Sequence, residues 1–221
     1  MDPSLSVLPK ILLWAGPVLI AVVFHELAHG YVAFRLGDPT AAQAGRLTLN
    51  PIAHIDLFGT IIMPLVLVLS GAPFLFGYAK PVPVNFLNLR HPRRDMVLVA
   101  LAGPGMNLLL AGLSALALHF FLLPAAQAST GGGAGALGLI VTVRVVYSFV
   151  LMNVGLAVSN MLPLPPLDGG RVATGLLPRA PALALARLEP YGMLIILLLV
   201  STGKLNALLR PITSFLLNAL L

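Results

Sequence analysis

Long apolar runs constrain this chain more than any other feature of its sequence. The runs at 96–123 and 137–162 exceed the roughly 20 residues that a helix needs to cross the hydrocarbon core of a bilayer. A further apolar run extends from 8 to 36. Only 9% of the residues are charged, against about 25% in soluble domains. The sequence therefore predicts an integral membrane protein.

The segments between these runs predict non-helical structure inside the bundle. Residues 79–84 read AKPVPV, an alternation that favours an extended strand over a helix. Such backbone is tolerated at membrane depth only where protein or a water-filled cavity covers it. We therefore expect an all-α polytopic membrane protein, a bundle of about five to six transmembrane helices with a short re-entrant β-hairpin-like segment around Lys80–Asn85.

We expect a single integral-membrane domain over residues 1–221. The apolar run after Lys10 is similar to the core of a signal peptide, but no small-residue cleavage site follows it, so we expect a retained span. The predicted parts are a first helix at 8–36, a short helix with re-entrant extended segments at 37–95, a helix at 96–123, a helix at 137–170, and C-terminal helices at 171–221.

The distribution of charge predicts the orientation in the membrane. The net charge is +6, and the basic residues lie in the segments that join apolar runs. The positive-inside rule explains this excess better than nucleic-acid binding does, so we expect no nucleic-acid partner. The Pro124–Ala136 loop carries no charge. We predict a multi-pass protein of the cell membrane, with the basic loops and the nearby histidine motif on the cytoplasmic side.

The first apolar run contains two histidines and a glutamate, in FHELAHG at 24–30. Ionisable residues in hydrocarbon cost at least a few kcal/mol, so they indicate function. His25 and His29 share one helix face and can bind one metal ion, while Glu26 can take a proton from water on that metal. A zinc ion with three protein ligands lowers the pKa of its water to about 7. The alternative is two histidines hydrogen-bonded within the bundle.

A catalytic zinc ion needs a third protein ligand, and the chain has no cysteine. Asp168 is the strongest candidate, because it follows the prolines of NMLPLPPLDGG at 160–170. Prolines prevent a regular helix there and glycines allow close approach, so the segment can direct a carboxylate inward. The alternative is an ordinary turn with a surface aspartate.

Taken together, HELAH and LPLPPLDGG resemble the site-2 protease family of intramembrane zinc metalloproteases. The segments GRLTLNPIAHIDLFGT, FGYAKPVPVN and AGPGMNL, at 45–60, 76–85 and 102–108, are also similar to bacterial members. The resemblance covers most of 22–171 and indicates a compact form without a PDZ insertion.

The resemblance implies peptide-bond hydrolysis inside the membrane. It assigns His25, His29 and Asp168 as ligands of one Zn²⁺ per chain and Glu26 as the general base. The implied substrates are membrane proteins with a transmembrane segment, such as anti-sigma factors or pro-proteins. It also suggests that Asn107 holds the substrate or the developing oxyanion, although an amide in a membrane helix equally suits an interhelical hydrogen bond.

His54 and Asp56, in HIDLFG, have three possible roles. They could form a pair that hydrogen-bonds to the zinc ligands, provide a rival set of metal ligands, or belong to a turn whose polar groups are satisfied locally.

Two other functions remain open at the level of sequence. A membrane metallopeptidase with a glutamate as third ligand would need Glu189, which Pro190 makes unsuitable as a mid-helix ligand. A metal-binding transporter or sensor without hydrolytic activity would use the same ligands but would not require Glu26.

Overall fold

The computed structural model describes residues 7–71, 77–129 and 134–221. Helix α1 covers Val7–Arg35 and ends in Arg35, whose charge suits the negative C-terminal end of a helix. The region after it contains only short helical pieces. These are α2 (Thr40–Gln43), a 3₁₀ turn (Pro51–His54), a π-helical turn (Leu57–Ile62) that continues into α3 (Met63–Leu69), and a second 3₁₀ turn (Phe86–Asn88).

The central part of the chain forms two long helical segments. Helix α4 (Pro92–Ala117) continues through a π-helical turn (Leu118–Leu122) into α5 (Leu123–Ala128). Helix α6 covers Ala134–Asn160. Residues 130–133, which belong to the predicted uncharged loop, lie outside the described residues.

Four helices follow the proline-rich segment 161–167. They are α7 (Asp168–Leu176), α8 (Arg179–Ala186), α9 (Glu189–Ser201) and α10 (Lys204–Leu220). Helices α8 and α9 meet at an angle of 65°.

The number of membrane spans is smaller than predicted. Among the described residues, three helical segments are long and apolar enough to cross a bilayer, namely Ala15–Arg35, Pro92–Ala128 and Gly135–Asn160. A fourth is counted only if α8 and α9 form one broken span. The expected five to six spans are therefore wrong. One reason is that the apolar helix Leu57–Leu69 is only roughly 20 Å long, whereas the hydrocarbon core is about 30 Å thick.

The predicted β-hairpin-like segment at Lys80–Asn85 is also wrong. The described residues contain no strand, and 77–85 is extended without regular pairing. The backbone donors of this segment bind scattered acceptors instead of a second strand: Lys80 N–H donates to the His54 carbonyl at 3.0 Å, and two further donors bind side chains. Val82 N–H donates to the Glu26 carboxylate at 2.7 Å and Asn85 N–H donates to Asp38 at 2.7 Å, while Pro81 and Pro83 have no N–H to donate.

Asp38, just beyond α1, fixes the end of this extended segment. Its buried carboxylate accepts hydrogen bonds from Asn85 N–H, from Asn88 Nδ2 at 2.8 Å and from the Thr40 hydroxyl at 2.5 Å. Burial alone would raise the pKa of Asp38, but the hydrogen bonds from Thr40, Asn88 and the backbone outweigh it and lower that pKa. The ionised carboxylate therefore ties residues 85–88 to the end of α1.

Helix α4 is the centre of the bundle and packs against α1, α6 and α7. Small and branched residues line its contact with α6, which lets the two helices approach closely. That core comprises Ala111, Ala115, Leu118, Val150, Val154 and Val158. Large apolar side chains such as Leu109, Leu113 and Leu116 are exposed, as expected of helices that face lipid. The protein is therefore integral to the membrane, as predicted.

Candidate metal centre

Two elements bring together three side chains that could bind a metal ion. His25 and His29 lie one turn apart on α1, and their Nε2 atoms are 3.0 Å apart. Asp168, the first residue of α7, places Oδ2 3.2 Å from His25 Nε2 and 3.3 Å from His29 Nε2. The two histidines are only 7% and 9% exposed, so the cluster lies inside the bundle.

The separations of these atoms suit a tetrahedral metal ion. Bonds of about 2.0–2.1 Å to a tetrahedral zinc ion place its ligand atoms about 3.3 Å from one another. The three observed separations, 3.0, 3.2 and 3.3 Å, are close to that value. Among the described residues, these side chains form the one cluster of histidine and acidic groups with the spacing of metal ligands.

The hydrogen bonds of the two imidazoles leave lone pairs facing one another. His25 Nδ1 lies 2.6 Å from Asn107 Oδ1, and His29 Nδ1 lies 2.7 Å from the Val99 carbonyl oxygen. Both partners are acceptors, so each Nδ1 carries the proton and each Nε2 presents a lone pair. Asp168 Oδ2 is buried and accepts no hydrogen bond. Three electron pairs without a shared proton repel one another, and a cation relieves that repulsion.

The proline-rich segment 161–167 places Asp168 at this point. A side chain at Gly169 would collide with the backbone of Met161, and one at Gly170 with the backbone around Pro165. Both residues therefore have to be glycine for α7 to begin so close to the preceding turn. This agrees with the close approach predicted from DGG.

Glu26 projects beside the histidines into the same cavity. Its Oε2 accepts the Val82 N–H at 2.7 Å. The extended backbone before Val82 is held in turn by Arg46, whose Nη2 donates to the carbonyls of Lys80 at 2.9 Å and Pro81 at 3.4 Å. The cavity measures about 140 Å³, and Val84, Phe86, Asn160 and Arg171 also line it.

Gly103 of α4 closes the far side of the cluster. A Cβ atom at this position would overlap the imidazoles of both His25 and His29. Gly105, two residues later on the same helix, has no heavy atom within 4 Å of the corresponding position. Only Gly103 is therefore needed for α4 to pass the histidines at this distance.

The remaining predicted site residues lie in different surroundings. Asn107 is fully buried, and its side chain contacts His25, Ala21 and Asn153. His54 is also buried, but its Nε2 bonds to the Thr48 carbonyl at 2.9 Å. Asp56 caps the π-helical turn by accepting Gly59 N–H at 2.7 Å. The structure thus brings Asn107 to the cluster, whereas the side chains of His54 and Asp56 bond to groups within six residues of themselves.

Several groups at the site escaped the sequence analysis. The Val99 carbonyl and the Val82 N–H are backbone groups, so no residue type marks them. Asn153 is one amide within a long apolar run, and only helix packing shows what it faces. Asn160 could have been noticed, because it begins the NMLPLPPLDGG motif and lines the cavity beside Asp168.

The chain is similar to known proteins along most of its length. A protein of Bacillus subtilis named "Putative zinc metalloprotease YwhC" is 39% identical over 209 residues, which cover 94% of this chain and 87% of the relative. A protein of Mycolicibacterium smegmatis named "Putative zinc metalloprotease Rip2" is 32% identical over 189 residues, or 85% of this chain and 66% of the relative. Its namesake in Mycobacterium tuberculosis is 30% identical over 188 residues. No solved structure matches the chain at a significant level.

Residues 14–200 match the description of peptidase family M50, which confirms the family resemblance inferred from HELAH and LPLPPLDGG. The cluster of two histidines and an aspartate fits the one Zn²⁺ that such an enzyme requires. This chain belongs to peptidase family M50 and is a zinc metalloprotease of the membrane.

Proposed function

We propose that the protein is an intramembrane endopeptidase that cleaves membrane-tethered regulatory proteins, such as anti-sigma factors or pro-proteins, within or near their transmembrane segments. His25, His29 and Asp168 hold the zinc ion, and Glu26 is the general base. The observation that carries the proposal is the convergence of three lone pairs in a cavity that Glu26 shares, between helices long enough to span a bilayer.

The residues of the chain divide the work of hydrolysis between them. Zinc held by these ligands would polarise the scissile carbonyl and make water more acidic. Glu26 accepts a proton from the attacking water while the water oxygen bonds to the carbonyl carbon. When the C–N bond breaks, Glu26 returns that proton to the departing amine, so no proton is left over. The Val82 N–H keeps the carboxylate at the wall of the cavity.

A substrate helix has to open before this chemistry can occur. The N–H and C=O groups of a transmembrane helix are paired with one another, and its carbonyls are shielded. The cavity of about 140 Å³ is far too small for a helix, whose diameter with side chains is about 10 Å. Helix-breaking residues near the scissile bond should therefore speed cleavage.

The decisive experiment separates metal binding from chemistry at Glu26. Because Glu26 is the base and not a ligand, Glu26→Gln should keep about one zinc ion per chain and lose at least about 100-fold in cleavage of a model transmembrane peptide. Purified wild-type protein with the same zinc content is the control. Cleavage at the wild-type rate by Glu26→Gln would refute the hydrolytic role and favour transport or sensing.

The inactive Glu26→Gln protein also offers a way to find the substrate. A trapped membrane protein should copurify with it and should be recovered as two fragments after wild-type enzyme is added. A substrate without a transmembrane segment would contradict the proposal.

We also propose that the site lies nearer the cytoplasmic face. Arg93, in the first turn of α4, donates to the Gly175 carbonyl near the end of α7, the helix that begins at Asp168. Arg179 begins the next helix, α8. Since the chain has no cysteine, single cysteines can report sidedness. In intact cells an impermeant maleimide should label Ser129→Cys and spare Arg179→Cys. The reverse pattern would invert the proposed orientation.

A further inference from the structure

A series of hydrogen bonds between buried side chains connects three helices and ends at His25. Its members are Asn153 on α6, Asn107 on α4 and His25 on α1. Asn107 and Asn153 are both fully buried. In a membrane protein a buried amide needs partners, and these two satisfy each other and the histidine together.

Each hydrogen bond in this series fixes the direction of the next. Asn153 Nδ2 donates to the Phe149 carbonyl at 2.8 Å, which turns Asn153 Oδ1 towards α4. Asn107 Nδ2 donates to that Oδ1 at 2.9 Å and to the Ala21 carbonyl at 3.2 Å. Asn107 Oδ1 is then the atom that faces His25 Nδ1, at 2.6 Å.

This direction determines which nitrogen of His25 can bind a metal. An acceptor at Nδ1 holds the proton there and leaves the Nε2 lone pair for the ion. If the Asn107 amide turned over, its N–H₂ group would face Nδ1 and favour the other tautomer, whose Nε2 proton would point at the metal position. Asn153 opposes that rotation, because it accepts one of the two Asn107 N–H groups.

We infer that Asn153 is a positioning residue for the zinc ligand His25 and acts through Asn107. The inference rests on the proposed ligand set. A merely structural role would be interhelical adhesion, in which Asn153 stabilises the packing of α4 and α6 without affecting the metal. The two roles predict different zinc affinities at equal folding.

The test measures zinc affinity of the full chain in detergent, by competition with a chromophoric chelator. Asn107→Leu removes the acceptor at His25 and should weaken zinc binding by about 10- to 100-fold, as for other outer-shell partners. Asn153→Leu, similar in size but without an acceptor, should weaken it by at least about fivefold. Asn153→Asp keeps an acceptor and should stay within about threefold of the wild type.

A double-mutant cycle shows whether Asn153 acts through Asn107. In the Asn107→Leu background, Asn153→Leu should change the zinc affinity by less than about twofold, because the link to His25 is already lost. Val154→Ala, which removes buried apolar contacts from the neighbouring position of α6, serves as the packing control and should leave zinc affinity within about twofold.

Three results would overturn the inference: wild-type zinc affinity in Asn153→Leu, full additivity in the double mutant, or an equal loss in Val154→Ala. If Asn153→Leu does not fold, Asn153→Ala supplies the same comparison. His25→Ala separates this inference from the proposed function. Zinc retained in His25→Ala would refute the ligand set and the inference together, whereas zinc lost there but held normally by Asn153→Leu would refute the inference alone.

Discussion

Replacing Gly103 with alanine should disable the metal centre through a single methyl group. The added Cβ would lie 2.6 Å from His25 Cε1 and still closer to His29 Nε2. Ordinary contacts of a Cβ begin at about 3.4 Å, so at least one imidazole has to move by about 0.8 Å, the difference of these two distances. Metal–ligand distances hold to about 0.2 Å, so the shift is several times larger than a zinc site accepts.

Gly105→Ala is the matched control on the same helix. Nothing lies within 4 Å of its added Cβ, and alanine is a better helix former than glycine by about 1 kcal/mol. Gly105→Ala should therefore keep zinc and melt at the same temperature or slightly higher. Gly103→Ala gains the same helix propensity but should lose at least about 100-fold in zinc affinity, since it displaces ligands of the ion and not only their partners.

Both variants can be measured in the same detergent preparation, as zinc per chain, zinc affinity by chelator competition, and thermal unfolding. The expected pattern is loss of zinc in Gly103→Ala with its helical content retained. If Gly103→Ala bound zinc with wild-type affinity, α4 would not lie against the histidines as described here, and the reasoning from their contact would be refuted.

Other substitutions test the ligands, the base and the anchor of the extended segment. His25→Ala and Asp168→Ala should each lose most of the bound zinc by metal analysis, and full occupancy in either would remove that residue from the ligand set. Val82→Pro removes the N–H that holds Glu26 and should lower kcat about tenfold with unchanged zinc, whereas Val82→Ala keeps both the N–H and the rate. Asp38→Asn should lower the free energy of unfolding by about 2 kcal/mol at pH 7, because an amide N–H₂ would face donors. The pKa of Asp38 in the folded protein lies below its usual value of 3.8. The ionised carboxylate therefore stabilises the fold above pH 3.8, and this stabilisation is lost as the pH falls towards the folded pKa. In that pH range the free energy of unfolding of Asp38→Asn should change less with pH than that of the wild type.

Local patterns were enough to single out the three residues that the fold brings together, because a ligand pattern needs little knowledge of the fold. The spacing of His25 and His29 places them on one helix face whatever packs against it. Asp168 required one further step, which the prolines and glycines around it supplied. The hydrogen-bond partners of these residues could not be predicted from local sequence. Asn153 lies in a run whose residues all suit a membrane helix, and only the rotation of α6 about its axis decides what an amide there contacts.

The errors in the fold prediction also have a physical origin. An alternating sequence with prolines is compatible with a strand and with an extended segment that bonds to side chains, and AKPVPV does not distinguish the two. What decides is the location of acceptors, here the carboxylates of Glu26 and Asp38, which lie far away in sequence. The helix count failed for a related reason, since apolar composition does not show whether a short run crosses the membrane or ends within it.

The two histidines lie where α1 packs against α4, a contact line that we call the seam. The spacing of residues along this seam explains which residue types surround the histidines. On α1 the contacts fall at Ala21, His25 and His29, and on α4 at Asn107, Gly103 and Val99, in opposite chain directions. Each set repeats every four residues, the spacing of a single ridge on a helix. The imidazoles need a residue without a side chain opposite them and an acceptor on either side. One turn of α4 before Gly103 supplies the Val99 carbonyl, and one turn after it supplies the Asn107 amide, so residues 99–107 support both histidines at once. A one-residue shift of α4 along this contact would move both acceptors away from the two Nδ1 atoms together. The position of α4 therefore decides which nitrogen of each histidine carries the proton.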